Sequence, residues 1–101
     1  MNRVWAWGGS FFGYLEGENL WTYDGKHIGK LRRGVIYGPD GRYLGERKEG
    51  NRLITQIDTQ HSPIPAYIPF TSRSPATRYD DVAGYPLPAG HEDFPAPESF
   101  Q

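Results

Sequence analysis

The chain contains no cysteine, one methionine and no surplus of charge, with 11 Lys plus Arg against 12 Asp plus Glu in 101 residues. Without cysteine there is no disulfide framework, no thiol nucleophile and no thiolate zinc site. No apolar run approaches the roughly 20 residues that cross a bilayer, and residues 1–5 lead into no signal-like apolar segment. A cytoplasmic chain with no membrane partner is therefore expected. A net charge of −1 exerts no global pull on nucleic acid or anionic lipid. At this length one small domain is the ceiling.

Glycine, proline and aromatic residues are plentiful, and they are unevenly placed. Eleven of the 13 Gly lie at or before Gly50, whereas eight of the nine Pro lie at or after Pro63. Residues 1–60 carry nine basic and seven acidic side chains; residues 61–101 carry two and five. The front half has the punctuation of tight turns and the back half that of extended, helix-averse chain. The expected division is a β-hairpin repeat domain over 1–70 and a Pro-rich acidic tail over 71–101.

The front half repeats with a period of 16. Gly9, Gly25 and Gly41 are in register, as are Gly13, Gly29 and Gly45; Val4, Leu20 and Ile36; Trp5, Trp21 and Tyr37; and Phe12, Ile28 and Leu44. Internal repetition governs the fold and is settled before any motif is read. Each unit (about 4–19, 20–35 and 36–51) is the size of one hairpin. Asp24-Gly25 and Asp40-Gly41 are the dipeptides that two-residue type I′ turns prefer, and Gly8-Gly9 meets the same demand. That register pairs Trp21 with Ile28 and Leu20 with Gly29, Trp5 with Phe12 and Val4 with Gly13, Tyr37 with Leu44 and Ile36 with Gly45. The aromatic pairs are assigned to the core, since such cross-strand pairs each contribute roughly 0.2–1 kcal/mol. The recurring glycine opposite Val4, Leu20 and Ile36 implies a close approach near a common centre.

Three hairpins leave two open edges, so a fourth element is expected over 52–70. Leu53 keeps the place of the aromatic column, and Leu53, Thr55 and Ile57 alternate with Ile54, Gln56 and Asp58. Ile64–Pro69 is the candidate return strand, placed at an edge because its two prolines cannot donate to a ladder. The unit is degenerate.

The repeat, with Trp-x-Tyr-Asp-Gly-Lys-His-Ile-Gly at 21–29, resembles the 4-fold beta flower proteins, a family of small uncharacterised bacterial proteins. Trp21, Tyr23, Asp24, Gly25, His27, Ile28 and Gly29 carry the resemblance, supported by Tyr37, Asp40, Gly41, Leu44 and Gly45. It implies an all-β fold, a pseudo-symmetric array of four hairpin petals, with an irregular Pro-rich tail. It transfers no catalytic residue.

Nothing in the chain has the spacing of a catalytic or metal centre. His27, His61 and His91 lack ligand spacing, no Gly-x-Ser-x-Gly elbow occurs, and Asp24 and Asp40 are explained by their turns. No enzyme activity and no cofactor are expected. Trp7, Phe11, Tyr23 and Tyr43 lie near the hairpin tips and are the candidate surface for a protein partner or for self-association. Lys30, Arg32, Arg33, Arg42 and Arg47, within a basic stretch at 26–52, form the alternative, a rim for nucleic acid or another polyanion. The tail either wraps the hairpins and covers an edge or stays loose as a docking segment.

Overall fold

The computed structural model describes residues 2–57 and 61–100. Among these residues eight strands follow one another round a single sheet: β1 (Asn2–Ala6), β2 (Phe11–Glu16), β3 (Asn19–Thr22), β4 (His27–Arg32), β5 (Val35–Tyr37), β6 (Tyr43–Lys48), β7 (Arg52–Gln56) and β8 (His91–Asp93). Sequence neighbours pair antiparallel. The sheet then closes on itself, because β7 also pairs with β1, in parallel, through Trp5–Arg52 and Ala6–Leu53. Closure of seven strands removes the open edges that three hairpins would present.

The first three hairpins share one geometry. Val4–Gly13, Leu20–Gly29 and Ile36–Gly45 pair as the repeat requires. One step further out the register slips, so that Trp5 meets Phe11, Trp21 meets His27 and Tyr37 meets Tyr43. The expected partners Phe12, Ile28 and Leu44 are the extra residues of a β-bulge. The turns explain the slip. Thr22 N–H donates to the Lys26 carbonyl and Gly25 N–H to that of Thr22, with matching bonds at Ala6–Gly9 and Gly38–Gly41. Each loop is three residues long, and only its last residue, Gly9, Gly25 or Gly41, has positive φ; among the described non-glycine residues only Arg33 and Asn51 do. Asp24 and Asp40 therefore do not form type I′ turns, which need positive φ at both central positions.

The bulge sorts the side chains into two layers. Val4, Leu20, Ile36 and Leu53, one from each hairpin, are fully buried and pack with Phe12, Leu15, Ile28 and Phe94. The aromatic column lies outside that core, with Trp5 and Tyr37 half-buried and Trp21 buried. The predicted crowding opposite the glycines is present: a Cβ on Gly13 would lie 2.0 Å from the Trp21 carbonyl oxygen, and one on Gly45 2.6 Å from both the Ile54 oxygen and Cδ1 of Phe94.

The fourth hairpin is β7 and β8, separated by more than thirty residues of chain. The Ile64–Pro69 segment is not a strand; the return strand is His91–Asp93, and Phe94 behind it fills the core. Leu53 also moves. It faces Arg47, as Leu20 faces Leu15 and Ile36 faces Leu31, so it occupies the aliphatic column and Ile54 the aromatic one. The third link is one residue longer, with Gly50 and Asn51 both at positive φ. Asp58 lies outside the described residues.

Residues 61–90 form a belt. Leaving the tip of hairpin 4, the chain passes over hairpins 3, 2 and 1 in that order and returns to hairpin 4 as β8. The change of composition near residue 70 is not matched by a break, since hydrogen bonds to the hairpins continue on both sides of it.

Candidate interaction surface

The belt docks on three hairpin tips by the same contacts. On hairpin 3, Ile64 N–H donates to the Gly41 carbonyl (2.9 Å) and Tyr67 N–H to that of Pro39 (2.9 Å). On hairpin 2, Arg73 donates to Gly25 (2.9 Å) and Ala76 to Tyr23 (2.8 Å). On hairpin 1, Val82 donates to Gly9 (2.8 Å) and Tyr85 to Trp7 (3.1 Å). A ring three residues before the first donor meets the ring two residues after the glycine: His61 stacks on Tyr43 at 4.1 Å, Phe70 on His27 at 4.9 Å, and Tyr79 stands edge-on to Phe11 at 5.6 Å. The belt thus advances nine residues for every sixteen of the hairpins. That spacing runs through His61, Phe70 and Tyr79, through Ile64, Arg73 and Val82, and through Tyr67, Ala76 and Tyr85.

The tip glycines serve the docking as well as the turn. A Cβ on Gly9, Gly25 or Gly41 would stand 2.1, 1.9 or 2.0 Å from the belt carbonyl oxygens of Val82, Arg73 and Ile64. Aromatic donors read the belt backbone too. Trp5 Nε1–H donates to the Asp80 carbonyl and Trp7 Nε1–H to that of Pro86, both at 3.0 Å, and the Tyr14 hydroxyl donates to that of Thr77. Cations lie over rings across the seam, Arg73 over Trp21 at 3.8 Å and Arg52 over Tyr85 at 4.3 Å. Such contacts resemble the way Pro-rich peptides are held by aromatic grooves.

Titratable groups are displaced where the belt covers them. His27 is 5% exposed and its Nδ1 accepts a hydrogen bond from Phe70 N–H at 2.9 Å, which leaves the neutral ring's proton on Nε2. Burial lowers its pKa, and Lys30 and Arg73 push the same way. Burial raises the Tyr43 and Tyr67 hydroxyls to about 12. The Asp81 carboxyl is held below its usual range, first by the Phe11 N–H it accepts and then by Arg78.

The four aromatic residues expected to form an open partner surface face the belt instead. Phe11 is 1% exposed, covered by Tyr79 and bonded through its N–H to Asp81, so it presents nothing to a partner. Trp7 is half-buried against Tyr85, Tyr23 lies under Arg78 of the belt and donates its hydroxyl to Glu98 beyond it, and Tyr43 lies under His61. Of the basic rim, Arg32, Arg33 and Arg42 are exposed, Arg47 Nη2 donates to Asn51 and Lys30 lies over Tyr67. Arg52, inside the same stretch, is buried and donates to the carbonyls of Trp7 and Ala83. Among the described residues no three His, Asp or Glu side chains gather as a metal site would require, and no helix is long and apolar enough to cross a membrane.

The profile of one family, described as 4-fold beta flower protein, matches residues 1–91. The chain belongs to the 4-fold beta flower protein family. The match spans the hairpins, the belt and the start of β8. No curated protein and no solved structure matches the chain.

No motif in the sequence marks the belt residues as functional. The nine-residue spacing of His61, Phe70 and Tyr79 was the available signal. It is hard to see because its other columns mix aliphatic, basic and small residues whose backbone, rather than side chain, makes the contact.

Proposed function

We propose that this β-flower chain is a non-catalytic interaction module whose contact surface is the outer face of the belt. The observation that carries the reading is exposed apolar area on a held segment. Ile68 is 92% exposed and Leu87 52%, with Ile57 at 61% four residues before the belt. Isolated exposed apolar residues are ordinary, but several on one extended segment mark a place for a partner. The partner is a protein, a second copy or another chain, and a cytoplasmic location belongs to the same proposal. Light scattering over a range of concentrations, with affinity capture, tests it. Association or capture that Ile68→Asp abolishes supports the reading; a strict monomer that captures nothing, or capture that Ile68→Asp leaves intact, removes it.

A second reading is favoured by one observation: Arg32, Arg33 and Arg42 take part in none of the salt bridges among the described residues. They are free to meet a polyanion. Salt-dependent retention on heparin or single-stranded DNA, lost in the triple Arg→Ala variant at these positions, is the expected result. No retention at low salt eliminates it.

A further inference from the structure

We infer that the rim of hairpins 1–3 is a binding site for extended peptide, that its own belt fills it reversibly, and that residues 61–87 of a second copy are its ligand in trans. The inference concerns the inner side of the belt and stands apart from any partner on the outer side. Three observations carry it. First, the rim is three copies of one subsite: a glycine carbonyl and a carbonyl two residues before it accept two N–H groups three residues apart, while a ring of the column Phe11, His27, Tyr43 receives a ring of the peptide. Main-chain bonds of this kind supply affinity and ring pockets supply selection, as in strand-addition sites. Second, the ligand has a matching period, so its three nonads fill the three subsites together and gain from their linkage. Third, the central packed cluster contains no belt side chain, while Phe11, Tyr14 and Trp21 are buried beneath the belt. The buried cluster and the side chains packed on it draw no residue from 61–90, and almost all of the belt is exposed on its outer side. Removing the belt uncovers Phe11, Trp21 and His27 without opening the packing of Val4, Leu20, Ile36 and Leu53.

The experiment uses the full chain and a fluorescent synthetic peptide of residues 61–87. In the unaltered chain the tethered belt competes with the peptide. In a Phe70→Ser, Arg73→Ala chain the belt is weakened at hairpin 2, while both altered side chains are exposed and the core is untouched. Fluorescence anisotropy is expected to show saturable binding, one peptide per chain, at least tenfold tighter to the altered chain than to the unaltered one. A peptide with His61, Phe70 and Tyr79 all changed to Ser is expected to bind at least tenfold more weakly. An Ile68→Asp peptide is expected to bind as the natural one does, which separates this site from an outer-face partner. The near-ultraviolet circular dichroism of the altered chain reports its packing, and Arg73→Ala alone serves if the double change disturbs it. Absence of saturable binding to a packed altered chain, or equal binding of the ring-free peptide, overturns the inference.

Discussion

Gly25 answers to two demands at once. Its φ of +96° closes the three-residue turn of hairpin 2, and its missing Cβ leaves room for the Arg73 carbonyl. Gly34, by contrast, has positive φ with nothing within 4 Å of where a Cβ would lie. Alanine at Gly34 meets only the left-handed backbone penalty, about 1–2 kcal/mol. Alanine at Gly25 adds displacement of the belt, so Gly25→Ala is expected to cost about 1–3 kcal/mol more than Gly34→Ala, as read from urea denaturation. His27 gives a pH dependence of definite sign. Burial depresses its folded pKa, so between the unfolded value near 6.5 and the lower folded value the unfolded chain binds more protons. Its contribution is fully present above about pH 6.5 and is lost as the pH falls through that window. His27→Phe, which restores the ring of the Phe11 position, is expected to flatten the urea midpoint between about pH 7 and 5.

Among the elements, the fourth hairpin depends on a strand three residues long and the ring behind it. Phe94 is 3% exposed, meets Phe12 edge-on at 5.2 Å and occupies the space that a Cβ on Gly45 would need. Phe94→Ala is expected to lose about 3–5 kcal/mol of unfolding free energy, the range for a fully buried ring. Leu87→Ala in the belt, 52% exposed, is expected to stay within about 0.5 kcal/mol. Equilibrium urea curves of the two variants make the comparison. A small loss for Phe94→Ala would mean that the core closes without β8.

For the whole molecule, the chain circles once as hairpins and once more in the opposite order as a belt. Tyr43 and Tyr67 sit at that seam, and their hydroxyls are raised to about 12 by burial. The fold favours their neutral form, so stability is held up to about pH 10 and lost above it as the unfolded chain ionises first. In a phenolate absorbance titration, Tyr43 and Tyr67 are expected to ionise late, near the onset of alkaline unfolding, and Tyr14, which burial also raises, is expected to follow the ordinary range rather than lead it. All seven Tyr titrating near the ordinary value would place the seam in water.

The sequence by itself determined the three hairpins, the glycine pairs at Val4, Leu20 and Ile36, and the all-β class. Each rests on local chemistry, namely turn glycines, alternation and a period that leaves little freedom within sixteen residues. The residue facing Trp21 was not legible, because the choice between a two-residue and a three-residue turn depends on whether Asp24 or only Gly25 takes positive φ. The partner of β7 was not legible either. His91–Asp93 is three polar residues with no strand pattern of their own, and only the stretch of β7 beyond its pairing with β1, Ile54–Gln56, and the packing of Phe94 make them a strand. Tertiary structure alone decided that the tail is a belt, that Phe11 is covered by it, and that Arg52 is buried. These outcomes come from contacts between residues eighteen to seventy-nine positions apart, where a backbone donor meets a turn carbonyl and side-chain identity leaves little trace.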